Sequence, residues 1–386
     1  NLGPIMATNP CGEQPLHPYD ACNLGSINLE KMVTDDDGRI DVDLEKLEKT
    51  TRYAIRFMDN VNDASKGPID EVEKTVKSHR RIGLGVMGFA DMLVQLGVPY
   101  DSEDGIKVAK SVMKFISDTA KDESVNIAKE KGVFPAYTGS KYDNGNHEDR
   151  VRNVERTTIA PTGTISMLYE VSSGIEPFFA LAWKKNIRGG VALKYVNKHF
   201  VRIATERGFY SAELRDKIDD NHGSIQGLEE VPEDIQKIFR SAHDIAYEWH
   251  VRMQAAFQIC TDNAVSKTIN MPSTATVAEV LGAYMRAWEE GLKGITVYRD
   301  RSKDIQVLEA GKANAKTDTS EKDGKTDLER LVVRPARTIE RPSIIEEAED
   351  VSKFSIRTGD GKLHIAITYK DRFPYEIFTN MGQIGT

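Results

Sequence analysis

Near the start of the chain, Asn9, Cys11 and Glu13 put an amide, a thiol and a carboxylate within one short stretch. A thiol gives up a hydrogen atom or a proton, a carboxylate serves as a base, and an amide orients a substrate by hydrogen bonding. Pro10 and Gly12 flank the thiol and direct it into a loop rather than a helix. The sequence has three cysteines, and two of them, Cys11 and Cys22, fall in this region. A turn with one buried cysteine uses the same residues, because a free cysteine often serves as a small hydrophobe. On the spacing alone both readings stay open; in an extended loop, side chains at i, i+2 and i+4 share one face. Asn9, Cys11 and Glu13 are therefore expected to project together.

A second polar segment holds Pro161, Thr162, Gly163, Thr164, Ile165 and Ser166. It lies between the β-favouring Thr157, Thr158 and Ile159 and the apolar Met167, Leu168 and Tyr169. Gly163 lets backbone amides approach an anion, and Thr162, Thr164 and Ser166 offer hydroxyls. On these residues alone, an anion cradle and an ordinary polar turn both remain open. Gly83, Gly85 and Gly88 match G-x-G-x-x-G, but the residues before them, 77–81, do not form a hydrophobic strand, which the dinucleotide fingerprint requires. Close helix packing is the better reading of these glycines. The eight histidines show no metal-ligand spacing, so no metal site is expected. Cys260, on a helical segment behind Phe257 and Ile259, reads as a core thiol. The basic cluster around Lys184, Lys185 and Arg188 reads as a solvated face.

Taken in order, these strings are similar to one family. Residues 9–16 (NPCGEQPL) and 22–29 (CNLGSINL) resemble the active-site loop of the ribonucleotide reductase large subunit. Residues 160–166 (APTGTIS) look like its phosphate-binding turn, followed by SSGIEP at 172–177. Residues 80–85, DNAVSKTINMP at 262–272 and GLKGITVYRD at 291–300 are also similar to it. The resemblance is close over residues 1–310 and looser beyond. It implies an α/β fold: about the second half of a ten-stranded α/β barrel with a central finger loop, plus a small C-terminal β unit. It also implies that Cys11 becomes a thiyl radical and takes a hydrogen atom from C3′ of a ribonucleotide. Glu13 then takes the 3′-hydroxyl proton, and Asn9 hydrogen-bonds the substrate hydroxyls. Cys22 is implied as half of a two-electron dithiol whose partner precedes residue 1 in the family. A Cys11–Cys22 disulfide is the alternative, but it would extinguish the thiyl source.

The resemblance also bears on how the radical is made. Oxygen-dependent members relay it through a Tyr-Tyr pair; the comparable position here is Tyr298-Arg299, and arginine cannot be oxidised in such a relay. Residues 382–386 lack the surround of a glycyl-radical loop. That leaves adenosylcobalamin as the implied cofactor. The implied partners are a ribonucleoside di- or triphosphate, an N-terminal part of the same enzyme, a thioredoxin-like reductant and a second copy in a homodimer. The oxygen-dependent large subunit and an inactive assembly or regulatory fragment are the alternatives. The chain ends without a paired-cysteine tail, which leaves the route of re-reduction open.

The elements that hold these residues follow from pattern. Residues 44–62 and 106–131 have apolar side chains near a 3.6 period and read as helices, the second stopped by Gly132. Residues 234–260 read as a third helix, and Thr276 with Glu279 has the form of a capping box. Residues 294–299 read as a strand. The expected organisation is a half-barrel over 1–310, a linker over 311–330 with too few large apolar residues for a core, and a β appendage over 331–386. The appendage shows strand patterns at 354–358, 363–369 and 373–378. With 52 basic against 60 acidic residues, a net of −8, the chain has no footprint for duplex nucleic acid. No apolar run approaches the ~20 residues of a bilayer span. Few cysteines suit a reducing cytoplasm better than a disulfide scaffold.

Overall fold

The computed structural model describes residues 3–187, 191–300, 302, 350–358, 361–370 and 373–381. The chain opens with a hairpin of β1 (Ala7–Thr8) and β2 (Pro15–Leu16), then enters β3 (Asn23–Asn28). A small hairpin of β4 (Val33–Asp36) and β5 (Arg39–Val42) precedes helices α1 (Leu44–Ala64) and α2 (Asp70–His79). Strand β6 (Ile82–Met87) leads to α3 (Phe89–Gln95) and the long α4 (Glu103–Lys131). After residues 157–159 come α5 (Gly163–Leu168), the antiparallel pair β7 (Ala182–Ile187) and β8 (Val191–Val196), and α6 (Lys198–Glu206). Then follow α7 (Ala212–Asp220), α8 (Glu233–Ile238), α9 (Tyr247–Gln258), β9 (Thr268–Met271), α10 (Val277–Glu289) and β10 (Thr296–Arg299).

Five segments pair in parallel and in chain order. Strand β3 pairs with β6 from Asn23↔Ile82 to Asn28↔Met87. Strand β6 meets residues 157–159 through the Leu84↔Thr157 bridge, and Thr158 N donates to Leu84 O at 3.0 Å. Residues 157–159 pair with 263–266 through Ile159↔Val265, and Ser266 N donates to Ile159 O at 2.8 Å. That last segment continues into β9, which pairs with β10 from Thr268↔Thr296 to Met271↔Arg299. A doubly wound sheet reverses its strand order at a switch point, whereas a barrel wall keeps chain order. This is a wall of the second kind. Its main core joins Ile82, Leu84 and Val86 to Ile55 and Met58 of α1, to Val112, Met113 and Ile116 of α4, and to Phe257 of α9.

The helices start where side chains satisfy free amides. Asp43 accepts from Lys46 N and Ser102 from Gly105 N, so α4 begins three residues earlier than its apolar period suggests. Thr276 and Glu279 form the capping box. The expected single helix over 234–260 is instead two. Between α8 and α9, Ser241 donates through N and Oγ to Asp244 Oδ2, at 2.8 and 2.7 Å, and Ala242 N donates to Phe178 O at 2.7 Å. These bonds outcompete helical ones.

The glycine reading also needs correction. Gly83 and Gly85 lie inside β6, every residue of which is buried, and their close neighbours are not helices. A Cβ on Gly85 would sit 2.2 Å from Thr158 O, and one on Gly83 would sit 2.7 Å from Thr158 Cγ2 and 2.9 Å from Gln14 Nε2. The glycines let residues 157–159 and the first hairpin close on β6. Gly85→Ala is therefore expected to cost at least the ~1–3 kcal/mol of ordinary overpacking, read as a lowered thermal midpoint of the chain. Gly163→Ala, whose Cβ would meet nothing within 4 Å, is the control and should stay within about 0.5 kcal/mol. Equal midpoints for the two variants would contradict this packing.

Two compact units divide the chain, residues 1–315 and 316–386. The expected linker at 311–330 lies outside the described residues. In the second unit, β11 (Asp350–Thr358), β12 (Gly361–Lys370) and β13 (Phe373–Met381) form an antiparallel meander, as the strand patterns suggest.

Candidate active site

The first hairpin carries the reactive triplet. Asn9 N donates to Gln14 O at 3.3 Å, and Asn9 Oδ1 accepts from Gln14 N at 3.0 Å. Gly12 N donates to Asn9 O at 3.1 Å, with Gly12 in the left-handed region at φ +78°. These bonds close residues 9–14 into a tight turn, so the extended loop expected from the spacing is not what forms. Asn9 folds its own side chain back onto the turn, and Gly12 supplies a conformation that other residues adopt at a cost. The three side chains consequently differ in setting. Cys11 is exposed at the tip, Asn9 is half-buried, and Glu13 is only 2% exposed.

The turn is pinned to the barrel wall by the backbone of Glu13. Its carbonyl accepts from Thr158 Oγ1 at 2.8 Å and from Ala264 N at 3.0 Å, where residues 157–159 and 263–266 meet. Among the described residues, the Oε2 atom of Glu13 and both polar side-chain atoms of Gln14 are buried without a hydrogen-bond partner. Unpartnered buried oxygens are uncommon, and a carboxylate oxygen without a donor, two residues from an exposed thiol, has the chemistry to take a hydrogen bond from a hydroxyl group.

The second polar segment begins on the same strand. Thr158 precedes Pro161 by three residues, about 10 Å of extended chain. Thr162 turns the chain with φ +55°, and α5 follows at once. Two of the three hydroxyls expected to face a ligand are engaged elsewhere. Thr162 Oγ1 accepts from Gly174 N at 2.7 Å, and Ser166 Oγ lies 2.9 Å from Ser173 Oγ. They fasten the turn to the 172–177 loop. What remains outward is the exposed first turn of α5, with Gly163, Thr164 and Ile165. Its amide ends suit an anion, and Gly163 leaves the approach open.

Cys22 sits just before β3, half-buried, with Sγ 3.3 Å from Asn23 O. Burial pushes its thiol well above the ordinary range; the Arg81 guanidinium opposes this, and the Asp20 and Glu13 carboxylates reinforce it. Cys22 thus stays protonated and shares the electrostatic surroundings of Glu13. All three cysteines are free thiols, and Cys260 packs against the main core as expected.

Several supporting residues escaped the sequence reading. Arg81, 1% exposed, donates to Asp20 Oδ2 at 2.9 Å and to Asn263 Oδ1 at 3.0 Å, and it also pairs with Glu155. His79 Nδ1 lies 2.9 Å from the same Asp20 oxygen. Burial raises the Asp20 carboxyl, but His79 and Arg81 together hold it below its ordinary value. Glu176 fixes the other side: it accepts from Lys267 Nζ at 2.5 Å and from Thr268 N at 2.6 Å. Lys267 also reaches His250 Nδ1 at 3.0 Å, and burial keeps that imidazole well below its ordinary pKa. A signal existed in both cases, because Arg81 and Lys267 interrupt or adjoin apolar strands and a buried cation demands partners.

The comparisons agree with this geometry. Residues 1–298 match the family model described as ribonucleotide reductase, barrel domain. The chain is 48% identical over 316 residues to the vitamin B12-dependent ribonucleoside-diphosphate reductase of Thermoplasma acidophilum, covering 82% of this chain and 40% of that protein. It is 46% identical over 306 residues to the same-named protein of Mycobacterium tuberculosis, covering 79% and 43%. Among solved structures, the class Id ribonucleotide reductase alpha subunit of Actinobacillus ureae superposes with a TM-score of 0.63 at 25% identity, covering 76% of this chain and 53% of that one. The chain thus spans less than half the length of these curated relatives. With five parallel strands in chain order, a pinned Cys11 turn and a family match across residues 1–298, the chain belongs to the ribonucleotide reductase barrel-domain family.

Proposed function

We propose that this chain is the catalytic half-barrel of an adenosylcobalamin-dependent ribonucleotide reductase that converts ribonucleoside diphosphates to 2′-deoxyribonucleotides. The observation that carries the reading is the buried Glu13 Oε2, without a partner among the described residues and two positions after the exposed Cys11, on a turn pinned to the strand that runs into residues 161–166. Cys11, as a thiyl radical, takes the C3′ hydrogen and gives it back once the 2′ carbon is reduced, which regenerates the thiyl radical. Glu13 Oε2 accepts the 3′-hydroxyl proton. Asn9 has its Oδ1 committed to Gln14 N, so it addresses the substrate hydroxyls as a donor. The amide ends at Gly163, Thr164 and Ile165 hold the substrate phosphates. Cys22 and a second thiol supply two electrons and end as a disulfide, while the 2′-oxygen leaves as water. Protonated Cys22 suits this role, since each thiol must bring its hydrogen to the substrate.

The cofactor reading rests on residues of this chain. The Cys11 tip is exposed and open to a radical generator that approaches from outside the chain. Arg299 follows Tyr298 and donates to the carbonyls of Ser273 and Ala275, a structural anchor where a relay needs an oxidisable side chain. When bound, adenosylcobalamin supplies the one-electron oxidant for the cysteine. Two of the relatives bear B12 dependence in their names. A thioredoxin-like reductant, assembly as a homodimer and a reducing cytoplasmic setting belong to the same reading, with three free thiols in its support. Among the described residues no helix is long and apolar enough to cross a membrane.

The test is reconstitution. The chain alone is expected to turn over no ribonucleotide. Addition of the N-terminal portion of a close relative, with adenosylcobalamin and a dithiol, should give deoxynucleotide. Turnover by the isolated chain, or none with a folded complement, would contradict the assignment.

A further inference from the structure

A cleft of about 570 Å³ lies between α4, α9 and the C-terminal turn of α10, and none of the residues discussed as the active site lines it. Its size suits a small molecule. It also lies at the other end of the wall. Thr261 and Lys293, which line it, precede the strand 263–271 and β10, whereas the 161–166 turn follows a strand parallel to both.

Four cations line the cleft, Lys110, Arg252, Arg286 and Lys293, against one carboxylate, Glu290. Two have acidic partners: Arg252 donates to Glu103 at 2.7 Å and Arg286 to Glu290 at 3.3 Å. The other two do not. Lys107 and Lys114, on either side along α4, pair with Asp104 and Asp118, yet Lys110 pairs with no acid among the described residues. Among the described residues, Lys293 donates only to the backbone carbonyls of Asp262 and Asn263, at 2.6 and 2.8 Å. Burial pushes its ammonium below the ordinary value; Asp262 opposes this, and Lys141 and Arg81 reinforce it. An anion in the cleft would relieve that crowding.

A second observation is independent of charge. Gln258 lines the cleft, is 7% exposed, and has an Oε1 buried without a partner among the described residues. Its Nε2 donates to Asn263 O at 3.0 Å. Flipping the amide would set oxygen against that carbonyl, so the orientation is fixed by the network. The open Oε1 therefore calls for a hydroxyl or N–H donor. Arg286 Nε is likewise buried without a partner.

We propose that this cleft binds an organic phosphate, with its phosphate groups on Lys110, Arg252, Arg286 and Lys293 and one of its hydroxyl or N–H groups donating to Gln258 Oε1. Guanidinium forks match phosphate oxygens in pairs, and the lysines add point charges. Inorganic polyphosphate meets the charge but leaves Gln258 unanswered.

The 386-residue chain can be titrated calorimetrically with fructose 1,6-bisphosphate and, separately, with pyrophosphate at physiological ionic strength. Saturable binding of one bisphosphate per chain, tighter than pyrophosphate, is expected. Lys110→Gln should weaken it at least about 10-fold, the scale of a lost charged hydrogen bond, with no cost to folding at an exposed site. Lys114→Gln and Thr164→Glu should leave it unchanged; the second places a negative charge at the 161–166 turn and so separates the two sites. No saturable binding at millimolar ligand, or loss in Thr164→Glu but not Lys110→Gln, overturns the proposal. Pyrophosphate binding as tightly as the bisphosphate overturns the Gln258 contact and with it the organic ligand.

Discussion

Cys11→Ser is expected to reduce deoxyribonucleotide formation by the complete enzyme to the assay background while leaving the fold intact. The side chain is exposed at the tip of a turn whose bonds are made by Asn9, Gly12 and Gln14, so the change from sulfur to oxygen removes no packing. The chemistry is another matter. An alcohol O–H bond is much harder to break homolytically than a thiol S–H bond, so serine cannot become the abstracting radical. Glu13→Gln is the companion change. It keeps the shape, and its backbone carbonyl still meets Thr158 and Ala264, but the base is gone. Turnover should fall by about 10²–10⁴-fold, the usual contribution of a positioned general base. Near-normal turnover would reduce Glu13 to a support for the turn.

The second large effect is a change of product. With Cys22→Ser, hydrogen abstraction at C3′ still proceeds, but the two electrons that complete reduction are not delivered. The substrate radical then decays, and free base should replace deoxynucleotide as the main product, read by chromatography of a single turnover. The two thiols differ in setting. Cys11 is exposed and open to an oxidant, whereas Cys22 is half-buried beside Asp20 and Arg81, its thiol held protonated. Deoxynucleotide formation at the normal rate by Cys22→Ser would remove it from the dithiol.

How far the sequence was legible depended on the range of the interactions. The capping box at Thr276 and Glu279 and the apolar period of α4 are local, and both were read correctly apart from the first turn of α4. The alternating strands of the C-terminal meander were equally plain. The shape of the reactive turn was not, because the i, i+2 argument assumes an extended chain and Asn9 closes a turn with its own side chain. Gly83 and Gly85 were legible as close-approach positions. Their partner, Thr158, lies far along the chain and carries no local pattern that names it. The same holds for residues 157–159 and 263–266, two barrel strands too short to show alternation and defined by their hydrogen-bond partners. Thr162 and Ser166 were expected to face a ligand; Thr162 Oγ1 accepts from Gly174 N and Ser166 Oγ lies against Ser173 Oγ, contacts with the 172–177 loop that no local pattern shows.

The central claim is that Cys11, and not Cys22, becomes the radical. It is tested most directly in the reconstituted complete enzyme by release of tritium from the 5′ carbon of adenosylcobalamin into solvent, which reports hydrogen exchange with the abstracting thiol without requiring product. Wild type and Cys22→Ser should both release the label, and Cys11→Ser should not. Release by Cys11→Ser together with its loss in Cys22→Ser would contradict the account and exchange the two roles.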